Sequence, residues 1–292
     1  MRDNILDPLL DTILYNYEEI PEWYRDNKYI KKGYRRWELE WIYYIKSIFK
    51  LHNETFNIWS HLIGSFLFIT LSIITYKYNL INSYIVDKIM ISLFLFSSFI
   101  CFFISSIMHI FFPKSEHTCN CLLLGDYYGI IFLILCTYNI FLYYLFYCNN
   151  TIQYYYYIII NSLALIIFIL LKILNNNKYK KYKLSLLLIF ILSIFIPTVH
   201  RYIYYKHIDP YELIQEIKYY GMSLFVYLLG FIFYITKIPE SICNHKCVNY
   251  FTSHTIFHIL IVFATIINYY GILNLHNLFE KIICKNNTVY LT

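Results

Sequence analysis

The sequence predicts an all-α membrane protein, a bundle of seven transmembrane helices. The first observation is compositional. Of 292 residues, 59% are hydrophobic and 14% are charged, where soluble domains run at about 45–50% apolar and about 25% charged. A soluble fold of this length would lack the polar residues to cover its surface, which excludes a soluble enzyme, a disordered chain and a fibrous repeat. The second observation is length. Seven runs reach the roughly 20 apolar residues that a helix needs to cross a bilayer. The third is continuity: the runs are apolar throughout, whereas the strands of a membrane β-barrel alternate.

In chain order the predicted spans are Asn57–Tyr76, Ile89–Phe112, Asp126–Tyr147, Ile152–Leu171, Leu184–Tyr204, Tyr219–Thr236 and Ser253–Gly271. Gly271 follows an Ile-, Leu- and Val-rich run and is expected to cap the last helix. Before the first span lie a polar tail, 1–36, and the stretch 37–52. In that stretch Trp37, Trp41, Tyr44, Ile45 and Ile48 recur at helical spacing. It reads as an interfacial amphipathic helix or as a helix packed on the end of the bundle. Residues 53–272 form the seven-helix unit and 273–292 a C-terminal tail. No signal-peptide pattern opens the chain. Eight cysteines, several within apolar runs such as Cys101 and Cys136, do not resemble a secreted disulfide scaffold.

Seven spans put the termini on opposite sides. Seventeen of the 24 Lys and Arg fall on the N-terminal side, so that side is expected to be cytosolic. The protein is then a multi-pass protein of the plasma membrane or an endomembrane. Asn149 and Asn286 head Asn-x-Thr sequons on the far side, and Asn53 heads a third on the near side.

Ionisable residues inside spans are costly and mark functional sites. His61 opens the first span, His109 closes the second, Asp126 opens the third, and His254 and His258 open the seventh. Span parity alone places all five in the cytosolic leaflet. His254 and His258 are four apart and share one helix face, which is the spacing of two metal ligands. His109 can supply a third nitrogen, and Asp126 can bind the metal or its water. The alternative is a set of polar residues hydrogen-bonded between helices.

Weaker signals lie elsewhere. Cys119, Cys121, Cys243 and Cys247 fall in two cytosolic loops and could hold a second metal or stay reduced. His117 and His245 have no assigned role. His200 sits at the far end of the fifth span, away from the cluster. Tyrosines at the far-side span ends (Tyr154–Tyr157, Tyr269, Tyr270) read as an interfacial belt or as compositional bias.

Four blocks then resemble the progestin and adiponectin receptor family and its hemolysin III relatives. They are Ser47–Gly64 with Glu54-Thr55 and Asn57-Ile58-Trp59, Ser105-Ser-Ile-Met-His109, Asp126-Tyr-Tyr-Gly129, and Ile238-Pro-Glu240 followed by Ser253-His254-Thr-Ile-Phe-His258. The blocks come in the family's order, with Phe56 standing where adiponectin receptors commonly have Gly. The resemblance implies a cytosolic N-terminus and Zn2+ held by His109, His254 and His258. Asp126 would partner the metal's water, with Ser105 nearby. It further implies a zinc-dependent, ceramidase-like lipid amide hydrolase. Asp126 would be its general acid–base and Ser105 would orient the water or the oxyanion. The other reading is a non-catalytic receptor or membrane-homeostasis protein with a structural zinc. Membrane lipids are the expected partners, no nucleic acid is expected, and a protein or steroid ligand is not specified.

Overall fold

The computed structural model describes residues 13–175, 179–204, 210–243, 249–279, 282–285 and 288–291. His245, Cys247, Asn286 and the first residues of the tail lie outside the described residues. Seven helices are long and apolar enough to cross a membrane, as the composition predicts. They are α2 (Thr55–Ile74), α3 (Ile85–Phe111), α4 (Glu116–Leu145), α5 (Asn150–Ile173), the pair α6 (Lys180–Leu192) and α7 (Phe195–Tyr204), α8 (Pro210–Thr236), and α9 (Ser253–Phe279). Each helix from α2 to α5 packs on the next, α8 packs on α9, and α9 returns to α2, α3 and α4. The buried core runs down this ring through residues such as Phe68, Phe102, Phe141 and Ile272. Outward-facing Ile63, Phe66, Leu165 and Phe225 are exposed, as lipid-facing side chains are.

Helix ends differ from the apolar runs for identifiable reasons. Helix α4 begins ten residues before Asp126, because Pro113 closes the preceding turn and Ser115 Oγ caps the new helix by accepting the Thr118 N–H at 3.1 Å. Cys119 and Cys121 therefore lie on α4 rather than in a loop. The fifth span breaks between Leu192 and Phe195. Pro197 has no N–H to donate, and its ring crowds the carbonyl four residues back, at Ser193. Tyr138 Oη reaches the Phe190 and Ile191 carbonyls at 2.6 Å, so the break faces a donor inside the apolar bundle. Helix α9 runs to Phe279, and Gly271 does not cap it. Its missing side chain instead lets α8 approach, since a Cβ there would lie 2.6 Å from Tyr219 Cβ.

The membrane-proximal segments also depart from expectation. The predicted helix at 37–52 is confined to α1 (Trp41–Ser47). Tyr43, Tyr44 and Ser47 face inward while Trp41, Ile42 and Ile45 are exposed, so Tyr44 of the spaced apolar residues packs on the bundle while Trp41 and Ile45 stay largely exposed. Within the polar tail, β1 (Tyr15–Asn16) pairs antiparallel with β2 (Lys32–Tyr34). Ile20, Tyr24, Ile30 and Tyr34 form a small core that packs on Phe112 just beyond the end of α3. Asp26 pairs with Lys180 of α6 at 2.5 Å. The Lys180 charge holds the Asp26 carboxyl well below the usual carboxylate range. Beyond α9, β3 (Ile282–Lys285) and β4 (Thr288–Leu291) form an antiparallel hairpin.

Two predictions follow from these contacts. Gly271→Ala should cost about 1–3 kcal/mol by overpacking, read as a lower thermal midpoint in detergent. Asp26→Asn should cost at most about 1 kcal/mol near neutral pH, as exposed pairs do. Because the folded pKa is depressed, the stabilisation is present above the ordinary carboxylate pKa and is lost as pH falls towards the lowered one. The gap between wild type and variant should therefore close under acid conditions in the same melting assay.

Candidate metal centre

The cluster that span parity places in one leaflet forms at one end of the bundle. His109 comes from the last turn of α3, and His254 and His258 from the first turns of α9. One nitrogen of each lies within 4.8 Å of the others, and this group could hold a metal ion. His109 Nε2 and His254 Nε2 are 3.2 Å apart. Two nitrogens each bound to one tetrahedral zinc at the usual 2.0–2.1 Å would be about 3.3 Å apart, so the His109–His254 pair matches that separation.

The far ring nitrogens are held by α2. Glu54 Oε2 meets His109 Nδ1 at 2.8 Å, and the Asn57 carbonyl lies 3.2 Å from His258 Nδ1. Acceptors at both positions select the tautomer that carries hydrogen on Nδ1, leaving Nε2 as the ligand atom. Glu54 is itself fixed by Asn57 Nδ2 at 2.7 Å and Asn53 Nδ2 at 2.9 Å. Asn57 Oδ1 accepts from Thr255 Oγ1 at 2.6 Å, between the two α9 histidines in sequence. One turn of α2 thus aligns imidazoles from two other helices.

Two further charged residues position the backbones. Arg35 is 1% exposed and donates to the His109 and Ile110 carbonyls at 2.7 and 3.0 Å and to Ser47 Oγ at 2.8 Å. It satisfies carbonyls that the end of α3 leaves free. Glu240 accepts from Ser253 N–H at 2.7 Å and from Asn27 Nδ2 at 2.9 Å. An anion at the start of α9 suits the helix dipole. His52 precedes α2; it accepts from the Glu54 N–H at 3.1 Å, and burial with the nearby Arg35 charge pushes its pKa well down.

His254 and His258 open onto a cavity of about 390 Å³ that extends between the helices and is walled mainly by apolar side chains. Asp126 and Ser105 line it beside His254 and His258, and the Ser105 side chain faces the Asp126 carboxylate. His61 also lines it. That ring stacks on His258 with centroids 3.7 Å apart, and neither of its nitrogens has a hydrogen-bond partner.

Other candidates are not brought to the site. His200 pairs with Tyr156 at 2.9 Å, outside the cavity wall. Cys121 neighbours His117 at 3.8 Å on α4, while Cys119 and Cys243 are free thiols outside the histidine group. Asn53 and Asn149 are buried, with Asn53 Nδ2 donating to Glu54 and Asn149 Oδ1 capping α5.

A seven-helix membrane bundle with three convergent histidines at one end defines a class. Residues 49–269 match the Haemolysin-III related family. The chain belongs to that family, which the progestin and adipoQ receptor proteins share. It is 30% identical to "Progestin and adipoQ receptor-like protein 1" of Caenorhabditis elegans over 88% of this chain and 59% of that protein. It is 32% identical to "ADIPOR-like receptor IZH2" of Saccharomyces cerevisiae over 91% of this chain and 84% of that one. It is 36% identical to human "Progestin and adipoQ receptor family member 3" over 85% of this chain and 81% of that one.

Glu54, Asn57 and Arg35 carry no signal in hydropathy because they precede or only just enter an apolar run. The fixed offset between Glu54-Thr55 and Asn57 in the first block was the one available clue. Glu54→Ala should weaken retention of a metal ion at the three histidines by about 10–100-fold, the usual cost of losing such a supporting group. Metal content after dialysis against a graded chelator series checks this, with Glu54→Gln retaining more than Glu54→Ala.

Proposed function

We propose that this protein is a zinc-dependent hydrolase of lipid amides, with ceramide-like molecules as substrates. The observation that carries the reading is the convergence of three imidazoles, two of which (His254 and His258) line an apolar cavity together with the Asp126 carboxylate and Ser105. The donor set suits zinc, being three imidazoles, two of which turn their other nitrogen to an acceptor. When bound, zinc supplies Lewis acidity, lowering the pKa of water to about 7 and polarising a carbonyl.

The chain's own residues do the rest. The apolar cavity takes the acyl chain and leaves the amide at the histidine end. Asp126 accepts a proton as water adds to the amide carbonyl carbon. Ser105 donates towards the oxygen on which negative charge develops. The carbon–nitrogen bond then breaks, Asp126 returns the proton to the leaving nitrogen, and a fatty acid and a long-chain amine result. The segment of β1, β2 and their small core covers the histidine end and limits bulk water.

A cytosolic N-terminus is part of this reading. It is supported by the basic residues at the histidine end and by Cys148. That residue is disulfide-bonded at the opposite end of the bundle, as an oxidising compartment would allow. Membrane lipids are then the natural partners. The second reading, a receptor with a structural zinc, is favoured by the receptor names that its relatives carry.

Purified protein should contain about one zinc and release labelled fatty acid from ceramide. The His254→Ala, His258→Ala double variant should lose the metal and slow turnover by at least about a hundredfold. Full zinc occupancy with turnover no faster than that of the double variant would favour the receptor reading.

A further inference from the structure

The same cavity holds polar groups far from the histidines. Tyr220 and Ser223 on α8 and Asn268 on α9 all line it. They are 7%, 1% and 3% exposed. Tyr220 Oη, Ser223 Oγ and Asn268 Oδ1 have no hydrogen-bond partner. Next to them Tyr227 Oη bonds Thr265 Oγ1 at 2.8 Å, and Tyr227 faces both Ser223 and Asn268. The spacings explain the grouping. Tyr220, Ser223 and Tyr227 lie three and four apart, and Thr265 and Asn268 lie three apart, so each set shares one helix face. Asn268 is ten residues beyond His258 on one continuous helix, which places it about 15 Å further along the axis.

Unpartnered polar atoms are costly in an apolar bundle and usually signal a missing partner. Apolar side chains such as Ile134, Leu187 and Ile191 make up much of the remaining wall, so a plain hydrocarbon chain would leave these three atoms unsatisfied. Their chemistry is specific. Tyr220 and Ser223 can donate, while Asn268 Oδ1 can only accept. A hydroxyl answers both needs, and a ketone answers only the donors.

We infer that Tyr220, Ser223 and Asn268 form a second polar station in the cavity. It takes a hydroxyl carried at mid-chain by an amphiphilic lipid whose polar head lies at the histidines. This rests on the proposed reading of the cavity as the lipid site. The station selects among chains, whereas the histidine end selects the head.

The test is displacement of a fluorescent fatty acid from the full-length protein by octadecanoate, 12-oxooctadecanoate and 12-hydroxyoctadecanoate. The hydroxy acid should bind about five- to tenfold tighter than the plain acid, with the keto acid between them. Ser223→Ala with Asn268→Leu should collapse the three affinities onto one value, as should Tyr220→Phe in part. Equal displacement by all three acids at wild type overturns the station and leaves the lipid site standing, the polar atoms then being satisfied by water. Failure of every acid to displace the probe overturns the lipid site and the station together.

Discussion

One turn of α2 holds the molecule's chemistry in place. Glu54 and Asn57 lie where the first span leaves the interface, and between them they bind His109 of α3, His258 of α9 and Thr255 of α9. In a low-dielectric bundle a polar group without a partner is costly, and a carboxylate without one would be prohibitive. The consequence is mutual dependence. The histidines fix Glu54 and Asn57 as firmly as those residues fix the rings, so the helix ends at this face adopt one arrangement. The opposite ends of α3 and α9 are tied similarly, with Asp87 3.6 Å from His276 Nδ1, Tyr144 Oη donating to Asp87 at 3.1 Å and Ser83 Oγ 2.9 Å from His276 Nε2. The two helices that carry the three convergent histidines are therefore pinned at both ends by buried polar contacts.

The amino-terminal segment extends this logic outside the spans. Arg35 closes the carbonyl end of α3, Asn27 binds the Glu240 carboxylate that anchors α9, and Gly33 O accepts the Asn53 N–H at 2.8 Å. A segment whose composition reads as a polar tail is thus tied to the three helices that build the site. Its few apolar residues suffice because they pack on Phe112 rather than forming an independent core. Such an arrangement leaves the histidines shielded on the aqueous side while the cavity beside them is lined for hydrocarbon.

Legibility followed physical range. The span count was readable because bilayer thickness imposes it residue by residue along the chain. Boundaries were less readable, since helices continue past the hydrocarbon edge until a cap such as Ser115 or a break such as Pro197 stops them. Gly271 misled because a glycine that ends a helix and one that admits a neighbouring helix look alike in sequence. His109, Asp126, His254 and His258 were legible because few ionisable residues enter the spans and parity puts them in one leaflet. Glu54 and Glu240 stood out only as parts of the family-like blocks, with no role, and Arg35 not at all, because a charged residue beside a span is ordinary until its partner is known. His61 was visible, but its stacking on His258 was not.

By itself the sequence determined a multi-pass helical membrane protein with a histidine-bearing end, because both follow from one-dimensional quantities, the length of apolar runs and the parity of their order. Only the tertiary structure decided that Nε2 is the free atom on His109 and His258, that Arg35 and Glu240 secure the helix ends, and that one cavity joins the histidines to a second polar group of Tyr220, Ser223 and Asn268. Those depend on contacts between residues up to about two hundred positions apart, such as Asn57 with His258, and no local pattern encodes such a distance.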